Sequence, residues 1–144
     1  MKNTLKNWIE TILGIVLFSM ASFLVKQYLS KPPSLYKELM EIASEVNKTL
    51  PIMIDRETQL DNTISKSPNV FQYNHSLINF EKENLDVLEL KNELEPKILN
   101  TVRTNPNLQY FRDKDVVINY YYKDKNGMFL LEITVTPEQY KSTE

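Results

Sequence analysis

Asp55 and Glu57 stand two residues apart, so on an extended strand their carboxylates share one face at about 7 Å, a placement open to an acid and base pair. A charged solvent face gives the same spacing, and Arg56 and Lys66 nearby do nothing to select catalysis. His75 is the single histidine and the chain has no cysteine, which leaves no multi-histidine metal site and no thiolate chemistry. A nucleophilic triad needs a base beside an activated hydroxyl, yet no Gly-x-Ser-x-Gly turn occurs, and the two glycines, Gly14 and Gly127, cannot build a phosphate cradle. The expectation is a non-enzyme with no catalytic residues, no metal and no cofactor. Tyr120-Tyr121-Tyr122 is the unusual cluster: side chains alternate along a strand, so Tyr121 opposes its neighbours, and one side or the other should be exposed. Tyrosine offers apolar area with a hydroxyl at recognition surfaces, although it is also a strong strand former. Tyr120, Tyr121, Tyr122, Asp55 and Glu57 are therefore the candidate partner-binding residues.

Strands and helices must position these groups. Leu35, Leu39, Met40, Ile42, Ala43, Val46 and Leu50 recur at three and four spacing, which predicts an amphipathic helix over 35–50, capped by Ser34 and stopped by Pro51. Residues 52–60 and 70–78 alternate as two strands, joined by a loop over 61–69 that holds Asn62, Ser65, Ser67 and Pro68. Helical spacing returns over 85–104, with Pro96 expected to bend or split it, and Asn105-Pro106 starts one further short turn over 107–112. Val116, Ile118, Tyr120 and Tyr122 then pair with Phe129, Leu131, Ile133 and Val135 as a hairpin whose loop ends on Gly127. The order helix-β-β-helix-β-β predicts an α+β fold: a four-stranded, mainly antiparallel sheet in two layers with helices on one face.

Residues 8–25 carry the other strong signal, since residues 12–25 have no charge and are mostly bulky and apolar. A helix over 5–29 is long enough for a hydrocarbon core of roughly 30 Å. Trp8, Ile12, Leu13, Ile15, Val16, Leu17, Phe18, Phe23, Leu24 and Val25 form the expected membrane anchor, bracketed by Lys2, Lys6, Lys26 and Lys31. Ser19-Met20-Ala21 resembles a leader cleavage site, but the apolar run resumes at Phe23, which suits an uncleaved anchor better. A buried core helix and a helix lying flat in the interface fit less well, for want of a polar stripe and of a charged face. Charge counting on the two flanks ties. The short basic tail favours a cytoplasmic amino terminus, making this a single-pass protein of the bacterial inner membrane with its carboxyl-terminal domain on the periplasmic side. The expected division is a tail and anchor over 1–29, a Pro-rich linker over 30–34, a soluble domain over 35–140 and a tail over 141–144. With a formal net charge of -2 and interspersed Lys and Glu, the chain offers no field for nucleic acid; the lipid bilayer and a protein are the expected partners.

The run Val46-Asn47-Lys48-Thr49-Leu50-Pro51-Ile52-Met53-Ile54-Asp55-Arg56-Glu57-Thr58-Gln59-Leu60-Asp61 resembles the opening of a group of small bacterial proteins of unassigned function. Phe71-Gln72-Tyr73-Asn74, Thr104-Asn105-Pro106 and residues 118–127 are similar to that group's second strand, helix break and terminal hairpin. The resemblance implies an exported or membrane-tethered α+β domain and carries no activity. It also implies cysteines near Arg103 and Tyr140 joining helix to carboxyl end, which this chain lacks. The functional expectation is a non-enzymatic, extracytoplasmic domain for protein binding or envelope assembly. The alternatives are an immunity-type inhibitor of an envelope-acting toxin and an envelope hydrolase using Asp55 and Glu57.

Overall fold

Ser34 adopts extended backbone and its hydroxyl accepts from Lys37 N at 3.4 Å, which starts α1, Leu35–Asn47. The computed structural model describes residues 34–66 and 68–142. After α1 come β1 (Ile52–Met53), β2 (Thr58–Lys66), β3 (Val70–Leu77), a 3-10 turn at Lys82–Asn84, α2 (Val87–Thr104) and a 3-10 turn at Pro106–Leu108. Then follow α3 (Gln109–Asp113), β4 (Val117–Asp124), β5 (Phe129–Val135) and α4 (Pro137–Lys141).

The strands form one mixed sheet in the order β1-β2-β3-β4-β5. Neighbours run antiparallel except the central pair, β3 and β4, which is parallel with Tyr73 beside Tyr120 and His75 beside Tyr122. That parallel pair follows from α2, which carries the chain from the end of β3 back to the start of β4 as a crossover. The helices lie over the face that carries Phe71, Leu77, Ile118, Leu131, Ile133 and Val135, where they add Leu39, Ala43, Ile98, Val102 and Phe111 to one core.

Two expectations are corrected. The predicted four-stranded sheet has five strands, because residues 52–60 do not run straight. Asp55 Oδ1 accepts from the backbone N–H groups of Glu57 and Thr58 at 2.8 and 2.7 Å, closing a turn that folds the segment into the hairpin of β1 and β2. Strand β2 then continues to Lys66, through the stretch expected as a loop, since Asn62 and Lys66 are exposed on one face while Thr63, on the other, is buried and bonded by Asn47. The second correction concerns the transmembrane helix of the expected fold: no helix among the described residues is long and apolar enough to cross a membrane. The longest, α2, carries Glu89, Lys91, Glu93, Glu95, Lys97 and Arg103. The expected anchor, Trp8 to Val25, lies outside the described residues.

Local chemistry explains the remaining boundaries. Helix α2 is one element despite Pro96, starting where Asp86 Oδ1 accepts from Leu88 N and Glu89 N at 3.0 and 2.9 Å. Helix α4, absent from the sequence expectation, is opened by a capping box between Thr136 and Gln139 with Pro137 in its first turn. Gly127 has φ 82, the left-handed conformation that ends the β4–β5 loop.

At the far side of the sheet the last residue of α1 clasps a strand border. Asn47 Nδ2 donates to Thr63 O at 2.8 Å while its Oδ1 accepts from Thr63 N at 2.7 Å, as a neighbouring strand would. Where the resemblance implies cysteines, Arg103 Nη2 donates to Gln139 O at 2.7 Å and to Ser142 Oγ at 3.1 Å. Tyr140, buried, donates its hydroxyl to Val116 O at 3.1 Å. Hydrogen bonds and packing thus join α2 to the carboxyl end.

Candidate functional site

Beside the β1–β2 turn, half-buried apolar side chains from three separate segments face one another across a groove of about 510 Å³. One wall is the turn itself, with Ile54, Asp55, Arg56, Glu57 and Thr58; the other is Phe80 and Leu85, from the segment entering α2, with Leu90 and Leu94 from its first turns. Leu77 of β3 and Tyr122 of β4 form the floor. The opposing wall belongs to α2 because Leu90 and Leu94 are four residues apart and so share a helix face. Ile54, at 54 % exposure, leaves the groove open to solvent along its turn wall.

Of the residues singled out from sequence, Asp55, Glu57 and Tyr122 come together here. Tyr120 lies on the same sheet face outside the groove lining, stacked on Tyr73 at 5.4 Å. Tyr121 points to the opposite face, where its ring meets Phe129 at 5.2 Å. Sequence reading missed Leu77, Phe80, Leu85, Leu90 and Leu94, since nothing in an apolar position tells a half-buried wall from a sealed core; the signal available was the density of leucine in 85–94.

Electrostatics define what the groove can do. The backbone N–H of Glu57 is the chief cause holding the Asp55 carboxyl below the usual carboxylate range; burial opposes it, and the hydrogen bonds from Thr58 add to the lowering. A carboxylate already accepting two turn hydrogen bonds, and ionised well below neutral pH, is poorly placed to carry a proton in catalysis. Burial, with the charge of Asp55 behind it, pushes the Tyr122 phenol up to about 12, so it stays a neutral donor at the floor.

Beside Tyr122 on the same sheet face His75 is 3 % exposed, its ring 4.7 Å from Tyr122 and 6.0 Å from Tyr120, and its Nδ1 has no hydrogen-bond partner among the described residues. Burial lowers its pKa to about 4, outweighing the backbone of Tyr121 and the charge of Asp61, which raise it. The unfolded chain takes up this proton near pH 6.5 and the folded one only near 4. Stability is therefore complete above pH 6.5 and declines as pH falls toward 4, by about 2 to 3 kcal/mol. Urea midpoints measured from pH 7 to 4 should show this slope in the wild type and a flatter one in His75→Phe. Equal slopes would mean that His75 is protonated in the folded chain.

The other face of the sheet carries polar groups, and its layout depends on a slip in register at Asp61. There Asp61 Oδ2 accepts from Ser76 Oγ at 2.6 Å and pairs with Lys123 Nζ at 3.2 Å, while Asn62 Oδ1 accepts from Asn74 Nδ2 at 2.6 Å. Among the described residues no three of His, Cys, Asp or Glu are grouped so as to hold a metal ion.

Residues 34–131 match the model of a family described as a domain of unknown function, DUF8479. No curated protein matches the sequence. Among solved structures, a Pseudomonas aeruginosa protein described as secreted superposes with a TM-score of 0.64 at 13 % identity, over 74 % of this chain and 93 % of that one. The pilotin of the Vibrio vulnificus type 2 secretion system gives 0.58 at 14 % identity, over 76 % and 94 %. The type II secretion system pilotin of Vibrio cholerae gives 0.56 at 12 %, over 73 % and 91 %. At these identities the likeness is one of fold.

Proposed function

Because this chain belongs to the DUF8479 family, whose description names no activity, we propose from its groove that it is a non-enzymatic, protein-binding domain acting outside the cytoplasm in envelope assembly. Residues 35–140 are the binding domain, and its partner presents an apolar segment to the groove, with polar or basic groups meeting Asp55 and Glu57 at the rim. The observation that carries this reading is the lining: Ile54, Leu77, Phe80, Leu85, Leu90, Leu94 and Tyr122 surround an open groove, with charge confined to residues 55–57. Apolar surface of this kind, rimmed by charge, is what a partner's side chains desolvate to gain affinity. Fold likeness to a protein described as secreted and to two pilotins supports both the location and the class of role.

A photoreactive amino acid at Leu94 of the full chain, illuminated in living cells, should capture a discrete protein partner. Leu90→Glu, which places a charge in the wall, should abolish that product by about tenfold or more while circular dichroism stays unchanged. A cross-link that persists at full yield in the folded Leu90→Glu chain would refute the groove as the site.

A further inference from the structure

Both walls of the groove beside the β1–β2 turn are acidic. Residues 54–58 and 80–95, the segments that form them, carry eight acidic and three basic side chains, a local formal charge of -5 in a chain whose total is -2. The helix dipole accounts for Asp86 and Glu89 at the start of α2, but it fades within the first turn, before Glu93, and has no bearing on Glu57 across the groove. Glu89 and Glu93, both exposed, stand four residues apart beside Leu90 and Leu94, a like-charge spacing that disfavours the helix on its own. Among the described residues neither Glu57 nor Glu89 forms an ion pair, and Glu93 meets only the exposed Lys97, at 3.8 Å.

The backbone of the same walls is already bonded. Within the turn Glu57 N and Thr58 N donate to Asp55 Oδ1, and Ile54 N donates to Thr58 O at 2.9 Å. Glu57 O accepts from Ile78 N at 2.9 Å and Arg56 O from Asn79 Nδ2 at 3.4 Å. Helix α2 directs its main-chain bonds along its own axis, and β3 and β4 under the groove are paired on both sides. An extended peptide therefore finds no ladder to join, and a segment desolvated here must satisfy its own N–H and C=O groups, as an α-helix does.

Resting on the protein-binding reading of this groove, we propose that the partner segment is a cationic amphipathic α-helix. Its apolar stripe packs on Leu77, Leu90, Leu94 and Tyr122, and Lys or Arg side chains on its two flanks meet Glu57 on one wall and Glu89 and Glu93 on the other. An anionic helix would set like charge against both walls, and a neutral one would strip water from their carboxylates without replacing it.

The full chain carrying p-benzoylphenylalanine at Leu94 is illuminated with three synthetic peptides: Leu and Lys at helical spacing, Leu and Glu at the same spacing, and Leu and Lys in strict alternation, which favours a strand. The helical Leu/Lys peptide should cross-link with half-saturation below about 100 μM, the Leu/Glu peptide about tenfold or more weakly, and the alternating peptide several-fold more weakly. Glu57→Lys combined with Glu93→Lys should invert the preference between the two helices. Glu41→Lys combined with Glu45→Lys, the same change in net charge placed on the exposed side of α1, should keep the wild-type preference, with circular dichroism unchanged in every variant. No product with any peptide, equal yields from the two helices, a stronger product with the alternating peptide, or an unchanged preference in the Glu57 and Glu93 variant would overturn the proposal. A Leu94 cross-link to residues 1–33 of the same chain, or to a second copy, would do so as well. Any of these results with the cellular product still formed, and still lost in Leu90→Glu, leaves the protein-binding groove standing.

Discussion

Phe71→Ala is expected to destabilise the domain by about 3 to 5 kcal/mol, the range for emptying a buried aromatic site. Phe71 is 1 % exposed on the central strand β3, with its ring 4.8 Å from Phe111 of α3 and 5.2 Å from Tyr73. These neighbours belong to separate elements, so the hole left behind cannot close without moving α3 away from the sheet. Against a total stability of about 5 to 15 kcal/mol for an ordinary domain, the loss is enough to populate unfolded chains. Urea denaturation followed by circular dichroism measures it. A change under about 1 kcal/mol would show that Phe71 does not anchor the core, while Phe71→Leu, which keeps most of the volume, should fall well below the alanine value.

The second large effect is expected at Asp124, whose side chain is 1 % exposed at the end of β4. Its Oδ1 accepts from Asn126 N and Met128 N, both at 2.8 Å, and its Oδ2 accepts from Lys82 N at 3.0 Å. One carboxylate therefore closes the β4–β5 loop and ties it to the 3-10 turn that leads into the groove wall at Leu85. Burial works to raise its pKa, but the N–H groups of Met128, Lys82 and Asn126 together hold it below the usual carboxylate range. Asp124→Ala leaves three N–H donors without that acceptor, and should lower Tm by roughly 15 °C or more. It should also cut the Leu94 cross-link even where the chain is still folded, since the wall loses its tie. Because the folded pKa is depressed, the wild-type contribution is complete above the unfolded value of 3.8 and vanishes as pH falls through the lower folded one. Asp124→Asn should remove that acid dependence. A thermal scan showing wild-type behaviour for Asp124→Ala would refute the role.

Periodicity made parts of the fold legible. The spacing of Leu35, Leu39, Ile42, Ala43 and Val46 reads as α1, and the alternation of Ile118, Tyr120 and Tyr122 against Leu131, Ile133 and Val135 reads as β4 and β5, because each face meets a single environment. The five-stranded count was not legible. Asp55 looks like one more alternating strand residue until its carboxylate is seen to bind the N–H groups two and three residues on. Residues 61–66 read as loop because Asp, Asn, Thr, Ser and Lys on both faces of the strand have loop composition, with Thr63 buried and Ser65 set opposite Phe71 on the covered face. Neither the parallel β3–β4 pairing nor the groove could be read locally, since both depend on where α2 lays Leu90 and Leu94 after a crossover of some forty residues. Of the candidate residues, the pairing of Asp55 and Glu57 with Tyr122 needed that same long-range pairing, whereas the opposition of Tyr121 to Tyr120 and Tyr122 followed from strand geometry alone.

The side-chain amide of Asn47 on Thr63 has a consequence for association. By supplying a counterfeit strand it denies incoming chains a template there, and β1, only two residues long behind Pro51, offers little more. Ribbon-like polymerisation needs two receptive margins per molecule, so any accretion of sheet through β5 must stop at a two-fold pair.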